Sequence, residues 1–301
     1  MIPVSEPGRL LRWIAAGWGV DMRISSNGQR KPSRLLRLAQ RGRALGQGAT
    51  RVDVSDGEHC YRFLCENQQT LRRATTLLIK EPGTIRWLRE QALPGRVFLD
   101  IGANVGIYSI FAGHHLGDTG HVYSVEPHLR NAVALMDNIV ENRLQDRISV
   151  LSMALCRKPS ITEFRYREWG TGSSHSQLQN GDPITRQAES VAGELKAATT
   201  VDVLIGEESI RRPDFIKIDV DGIELAILEG ARGLLSGPHP PRSVQVECEP
   251  SNNQRIEEFM SDHGFDLRER HATMAGAKRI ARGAQLKDLP HNVIFEPRRL
   301  H

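Results

Sequence analysis

Cysteine, aromatic side chains and long apolar runs are all scarce in this chain of 301 residues. The four cysteines, Cys60, Cys65, Cys156 and Cys248, are scattered, and none stands in a C-x-x-C spacing. That excludes a disulfide-built scaffold of the kind found in small secreted domains and gives a reducing compartment as the default. The N-terminal stretch Leu10, Leu11, Trp13, Ile14, Ala15 and Ala16 is interrupted by Arg12 and closed by Asp21. It is too short to span a bilayer and no clear small-residue cleavage site follows, so a soluble, cytoplasmic protein is expected. Aromatics are 5% of the chain and do not interleave with its basic residues, so nucleic acid is not an expected partner.

The charge that is present is unevenly placed. Residues 1–50 carry nine Arg and Lys against Glu6 and Asp21, whereas the whole chain has a net charge of only +4. Within that arm Arg34, Arg37 and Arg41 fall on one face of an expected helix. Such a face is ordinarily just solvated, and its functional alternative is contact with an anionic surface, including peripheral membrane contact. Residues 1–79 are read as a basic extension of helices and a small hairpin, the latter around Asp56-Gly57, and residues 80–301 as the main domain.

From residue 81 the pattern becomes regular. Glu81-Pro82-Gly83-Thr84 opens a helix that Pro94-Gly95 ends. Strand-like runs at 97–99, 121–125, 148–152, 215–218 and 244–246 alternate with helical runs at 108–115, 129–141 and 224–235. This rhythm predicts an α/β fold with a mostly parallel, doubly wound sheet. Residues 157–198 interrupt it with polar sequence (GTGSSHSQLQNGDP), expected to be an irregular lid rather than further strands.

The stretch DIGANVG, residues 100–106, sits between the first of these strands and its helix, where ligands of doubly wound folds bind. Gly102 and Gly106 permit a sharp turn and close approach to a ligand, and Asp100 ends the strand as an acceptor. Asn104 replaces the middle glycine of the dinucleotide fingerprint, which disfavours a pyrophosphate and hence NAD. Glu126 closes the next strand twenty residues after Gly106, placed to take both ribose hydroxyls. A nucleoside with an amino-acid tail suits both features.

DIGANVG, VEP, LMDNIVENRL, SMAL, DFIKIDVDGIELAILEGA and HNVIFEP, in this order, resemble the FkbM family of S-adenosylmethionine-dependent methyltransferases. The resemblance spans roughly residues 80–297. It implies a class I methyltransferase (Rossmann-like) fold with seven strands, the last antiparallel. It implies that Asp100, Gly102, Asn104 and Gly106 form the methionine-side loop, that Glu126 holds the ribose, and that Ala154 and Leu155 lie near the adenine. Asp221 stands where the family usually has Glu, a carboxylate one methylene shorter.

Methyl transfer needs an oriented nucleophile and, for a hydroxyl, a base. Asp219, Asp221 and Glu224 follow the fourth strand, and Glu247 and Glu249 the fifth. Asp219, Asp221 and Glu247 are the catalytic candidates, with His175 of the polar loop as another base. Asp219 and Glu247 are also the pair that would hold Mg²⁺ if the reaction used it. Lys217, inside an apolar strand, either snorkels or pairs with one of these acids. Trp169 either stacks on a flat ligand or anchors the loop, and Asp202 is expected to cap a helix. The expected activity is O-methylation of a hydroxyl on a sugar, glycan or secondary metabolite. The alternative is a catalytically silent S-adenosylmethionine-binding module recruited through its basic arm.

Overall fold

A computed structural model of the chain describes residues 22–25, 49–174, 176–178 and 190–298. The basic helix around Arg34, Arg37 and Arg41, the membrane contact expected of it, and His175 fall outside these residues. No helix among the described residues is long and apolar enough to cross a membrane.

Strands β1 (Met22–Ser25), β2 (Thr50–Ser55) and β3 (Cys60–Cys65) form a three-stranded sheet in that order. The Asp56 carboxylate accepts the backbone N–H groups of Glu58 and His59, fixing the expected β2–β3 turn. Helices α1 (Gln68–Thr75) and α2 (Pro82–Gln91) lead into the main sheet. There, β4 (Val97–Ile101), α3 (Ile107–His115), β5 (His121–Val125), α4 (Leu129–Glu141) and β6 (Ile148–Leu151) follow one another. Their bounds match the sequence periodicity closely, because each helix presents apolar residues at helical spacing and each strand is an apolar run.

The chain then departs from its expected course. Residues 157–198 are not one irregular lid. Strands β7 (Ala154–Leu155), β8 (Ser160–Tyr166), β9 (Gln177–Leu178) and β10 (Ala192–Thr199) form a second sheet in the order β7-β10-β8-β9. Polar side chains hid these strands: β10 buries only Lys196 and Ala198, so its place is held by the antiparallel ladder to β8 more than by hydropathy. Phe164 and Tyr166 supply the small core beneath. The GTGSS turn between β8 and β9 remains a loop, as expected.

After α5 (Val201–Gly206) and β11 (Phe215–Ile218), the single helix expected over 224–235 is two: α6 (Glu224–Glu229) and α7 (Arg232–Leu235). Gly230 stands at the break, where the chain passes so close to Cys156 that a Cβ would stand 2.2 Å from its carbonyl oxygen. Asp202 caps α7, as expected of it, by accepting the N–H groups of Gly233 at 2.7 Å and Leu234 at 2.8 Å. Strand β12 (Ser243–Cys248), α8 (Asn253–Asp262), β13 (Phe265–Ala272) and β14 (His291–Pro297) complete the fold.

The main sheet runs β13-β14-β12-β11-β4-β5-β6, with β14 antiparallel to both neighbours and the remaining pairs parallel. All residues of β4 are buried, as a central parallel strand covered on both faces must be. One layer packs Trp87 against Phe98 and Phe215, whose rings stack at 4.5 Å, while the Trp87 Nε1–H donates to Ser243 Oγ at 2.8 Å. Each such ring contributes about 1.5–3 kcal/mol by its removal from water.

The N-terminal hairpin shares this core through Val52, Val54, Tyr61 and Phe63. Its outer strand β3 would leave backbone groups unpaired, and two asparagines one turn apart, Asn138 on α4 and Asn142 at its C-cap, satisfy them. Asn138 Oδ1 accepts from Leu64 N at 2.8 Å and its Nδ2 donates to Val105 O at 2.8 Å. Asn142 Oδ1 accepts from Arg62 N at 2.9 Å and its Nδ2 donates to Arg62 O at 2.6 Å. Replacing Asn138 by Ala orphans two backbone groups and should destabilise the protein by about 2 kcal/mol. Urea unfolding measures the loss, and faster amide exchange at Leu64 than in the main sheet locates it; unchanged exchange there would refute this account of the strand edge.

Candidate functional site

The chain lays β4, β5 and β6 outward in one direction and then returns to place β11 on the other side of β4. The order therefore reverses between β4 and β11, and the crevice beyond their carboxyl ends is where an open α/β sheet binds ligands. An open-mouthed cavity of about 110 Å³ occupies that place. Gly102 and Asn104 from the loop after β4, Glu126 after β5, Ala154 and Leu155 from the second sheet, and Asp219 and Asp221 after β11 all stand on its wall. Asp100, Gly106 and Glu247 stand off it.

The glycines serve the chain's own packing. Gly102 has φ +83°, and a Cβ there would lie 1.9 Å from the carbonyl oxygen of Asp219. Gly106 has the same φ, and its Cβ would lie 2.2 Å from Leu135 Cδ1. What these positions approach is the neighbouring strand loop and α4, so they set the loop's shape rather than directly clear space for a ligand. Asn104 also adopts a left-handed conformation, φ 53°, which asparagine tolerates better than most residues.

Glu126 is almost fully buried. Its Oε2 accepts Asn104 N at 2.7 Å and its Oε1 accepts His128 N at 2.7 Å. The Asn131 side chain also hydrogen-bonds to it, and since a carboxylate has about four acceptor positions, room remains for a ligand hydroxyl. Burial raises its pKa to about 7 against the lowering effect of those two N–H groups.

On the β11 side a polar row crosses the sheet in register: Ser124, Asp100, Lys217 and Gln245, from four adjacent parallel strands. All four are buried. Asp100 accepts from Ser109 Oγ at 2.6 Å, and burial raises its pKa. Lys217 lies over the Tyr108 ring at 4.8 Å and donates to Asp219 Oδ2 at 2.5 Å. Burial alone would strip the Lys217 charge, but the carboxylates of Asp219, Asp100 and Glu81 together hold its pKa above the usual lysine range. Lys217 thus takes the pairing role set out for it.

Two residues further along β11 and β12, Asp219 and Glu247 share a hydrogen bond. Burial would raise the Asp219 pKa, yet Lys217 and the bond to Glu247 hold it well below the carboxylate range. The Asp219 charge and burial push Glu247 up to about 10. At neutral pH the pair therefore holds one proton, on Glu247, with Asp219 ionised toward the cavity.

This pair does not fit a metal. Its cation is already supplied by Lys217, and among the described residues no group of three or more His, Cys, Asp or Glu side chains is arranged to hold an ion. Glu224 is engaged elsewhere, accepting Gly222 N and Asn252 Nδ2. Trp169 packs against Tyr166 and lies beneath Arg130, off the cavity wall, which is the anchoring role.

Sequence reasoning passed over Arg73, His128, Asn131, Phe164 and Leu178, all of which line the cavity, while Ser173 and Ser174, which also line it, belong to the loop expected to act as a lid. His128 and Asn131 follow VEP and were within reach of the motif, whereas the placement of Arg73 depends on tertiary folding that no local pattern announces.

A family model described as "Methyltransferase FkbM domain" matches residues 100–267. No curated protein matches the sequence. Similar solved structures include methyltransferase FkbM from Methylobacillus flagellatus KT, 14% identical, covering 76% of this chain and 55% of that one with a TM-score of 0.43. Another is precorrin-6y C5,15-methyltransferase from Geobacter metallireducens GS-15, 12% identical, covering 73% of this chain and 92% of that one with a TM-score of 0.42. Fibrillarin from Aeropyrum pernix, in complex with natively bound S-adenosyl-L-methionine, is 11% identical and covers 83% of this chain and 84% of that one, TM-score 0.43.

Lys217→Met should cost about 3 kcal/mol at neutral pH, because it leaves a partly buried Asp219 charge uncompensated. The Asp219 pKa is depressed in the fold, so the stability it contributes is present above the unfolded carboxylate value and lost as pH falls through the folded one. The gap between wild type and Lys217→Met should accordingly narrow in acid, and adding Asp219→Asn should recover part of it at pH 7. Chemical unfolding across pH tests this; a gap of constant size would remove the ion pair as its cause.

Proposed function

The chain belongs to the FkbM family of methyltransferases, and within that family we propose that it methylates a hydroxyl of a small molecule or glycan, with Asp219 as the group that receives the proton. Membership carries the S-adenosylmethionine dependence and the class I fold, whose seven-stranded, mostly parallel sheet with one antiparallel strand is described above. The observation supporting the finer reading is the placement of Asp219. Its carboxylate stands on the cavity wall, ionised, with Lys217 behind it and the Gly102 loop against its backbone.

The cavity fits the nucleoside. Glu126 keeps acceptor capacity for a ribose hydroxyl, and Ala154, Leu155, Phe164 and Leu178 give the cavity an apolar wall suited to a base. Bound S-adenosylmethionine supplies a methyl group that its sulfonium has already activated. The protein's part is to orient the acceptor oxygen in line with that methyl and take its proton. A low pKa makes Asp219 a weak base, but an attacking hydroxyl becomes strongly acidic as its new C–O bond forms, so a weak base suffices. Glu247, already protonated, donates to Asp219 and keeps its carboxylate oriented.

Calorimetric titration with S-adenosylmethionine, S-adenosylhomocysteine and NAD, followed by transfer assays on sugars, glycans and hydroxylated secondary metabolites, tests the reading. Binding of the two sulfur nucleosides with transfer to a hydroxyl supports it. Binding with no transfer to any acceptor class favours the silent module. Asp219→Asn should keep S-adenosylhomocysteine affinity within about threefold and slow turnover by roughly 10²–10⁴-fold. Retained turnover would take Asp219 out of the base's role.

A further inference from the structure

Among the described residues, the wall of the cavity carries three carboxylates, Glu126, Asp219 and Asp221, and a single guanidinium, that of Arg73. Arg73 lies in the last turn of α1, outside residues 100–267 matched by the family model. Nothing in the motifs that identify the family points to it.

Its position is tightly built. Asn67 and Thr70 form a reciprocal cap that starts α1. The same Asn67 donates through Nδ2 to Thr171 O at 2.8 Å, and Thr171 Oγ1 donates to Glu66 at 2.7 Å. Gly172, at φ +82°, passes so near α1 that a Cβ would stand 3.1 Å from Thr70 Cγ2. From this joint Arg73 donates Nε–H to Gly172 O at 3.0 Å and Nη2–H to Ser174 Oγ at 2.7 Å. Both acceptors belong to the loop that covers the cavity, and Asn104 and Asn131 hold that loop from the other side by donating to Ser173 O at 2.9 and 3.0 Å. These bonds use Nε and Nη2 and leave Nη1 without a hydrogen-bond partner among the described residues, while the guanidinium's charge acts on Glu126 across the cavity wall, lowering its pKa.

S-adenosylmethionine carries two cationic groups, the sulfonium and the ammonium, and one anion, its carboxylate. The described residues of the wall offer the reverse, several carboxylates and one guanidinium. We propose that Arg73, with Ser174 beside it, binds the cofactor's amino-acid carboxylate, so that the N-terminal extension contributes a cofactor ligand to the methyltransferase domain. The assignment rests on the methyltransferase reading above. A guanidinium already fixed by two hydrogen bonds gives up little rotamer freedom on binding, which is the condition for a strong charge-assisted contact.

Two ligands separate this role from a structural one. S-adenosylhomocysteine carries the carboxylate, whereas methylthioadenosine has the same nucleoside and sulfur without the amino-acid tail. Calorimetry on the full chain should find Arg73→Gln weakened toward S-adenosylhomocysteine by roughly 10- to 100-fold, with methylthioadenosine affinity changed less than about twofold. Arg73→Lys should fall between wild type and Arg73→Gln, because it keeps the charge and loses the fork. Equal losses for both ligands would overturn the assignment and make Arg73 a loop support only. No loss for either would overturn it too, and a raised acceptor KM with cofactor binding intact would reassign Arg73 to the acceptor. Wild-type protein that binds neither ligand would instead remove the methyltransferase reading, and this assignment with it.

Discussion

A lysine in the middle of a parallel sheet is the constraint on which the rest of this site depends. Lys217 has neighbours on both sides, Asp100 on β4 and Gln245 on β12, and almost no solvent contact. Its charge survives only because carboxylates surround it, and they arrive from separate parts of the chain: Asp100 from the glycine loop's strand, Asp219 from β11, and Glu81 from the start of α2. Burial and charge thereby tie the cavity edge of the sheet to the element that enters it. The same cation fixes which of Asp219 and Glu247 holds the proton, since the carboxylate beside Lys217 is the one that ionises.

That dependence explains why the polar groups form rows. Side chains along a strand return to the same face every second residue. Asp100 and Gly102, Lys217 and Asp219, and Gln245 and Glu247 therefore stack as two rungs on one face of β4, β11, β12 and the loops that follow them. The lower rung is buried, and in the upper one Gly102 and Asp219 stand on the cavity wall while Glu247 lies behind it. At Gly102 the upper rung has no side chain, and the space is filled by the Asp219 backbone. A residue with a Cβ there would push β11 away from β4 at the point where the site is assembled.

Much of this was legible from local pattern. The strand 215–218 and the helix 129–141 are periodic and bounded by turn residues, so their limits agree with the structure. Glu126 reaches the cavity wall because strand ends point there in any doubly wound sheet, whereas Ala154 and Leu155, expected from the family resemblance, reach it from the second sheet. The second sheet was not legible, since β10 is a polar strand specified by its partner. Nor was the break at Gly230, because a glycine inside a helical pattern is usually tolerated, and only the tertiary approach of Cys156 forbids anything larger. Arg73 is a surface-like arginine in TLRRATT until the GTGSS loop folds against it.

Asn104 joins these threads. At the equivalent position a dinucleotide site has glycine so that the backbone can approach a pyrophosphate. Here the backbone still takes the left-handed conformation, and its N–H is spent on Glu126. The side chain that glycine would lack reaches Ser173 O and holds the covering loop, which in turn receives Arg73. One substitution within the glycine loop therefore gives up phosphate approach and gains a link between the acid placed for the ribose and the segment over the cavity. The opening motif is best understood as a hinge point between two binding elements, which is why its glycines face protein and its asparagine faces the loop.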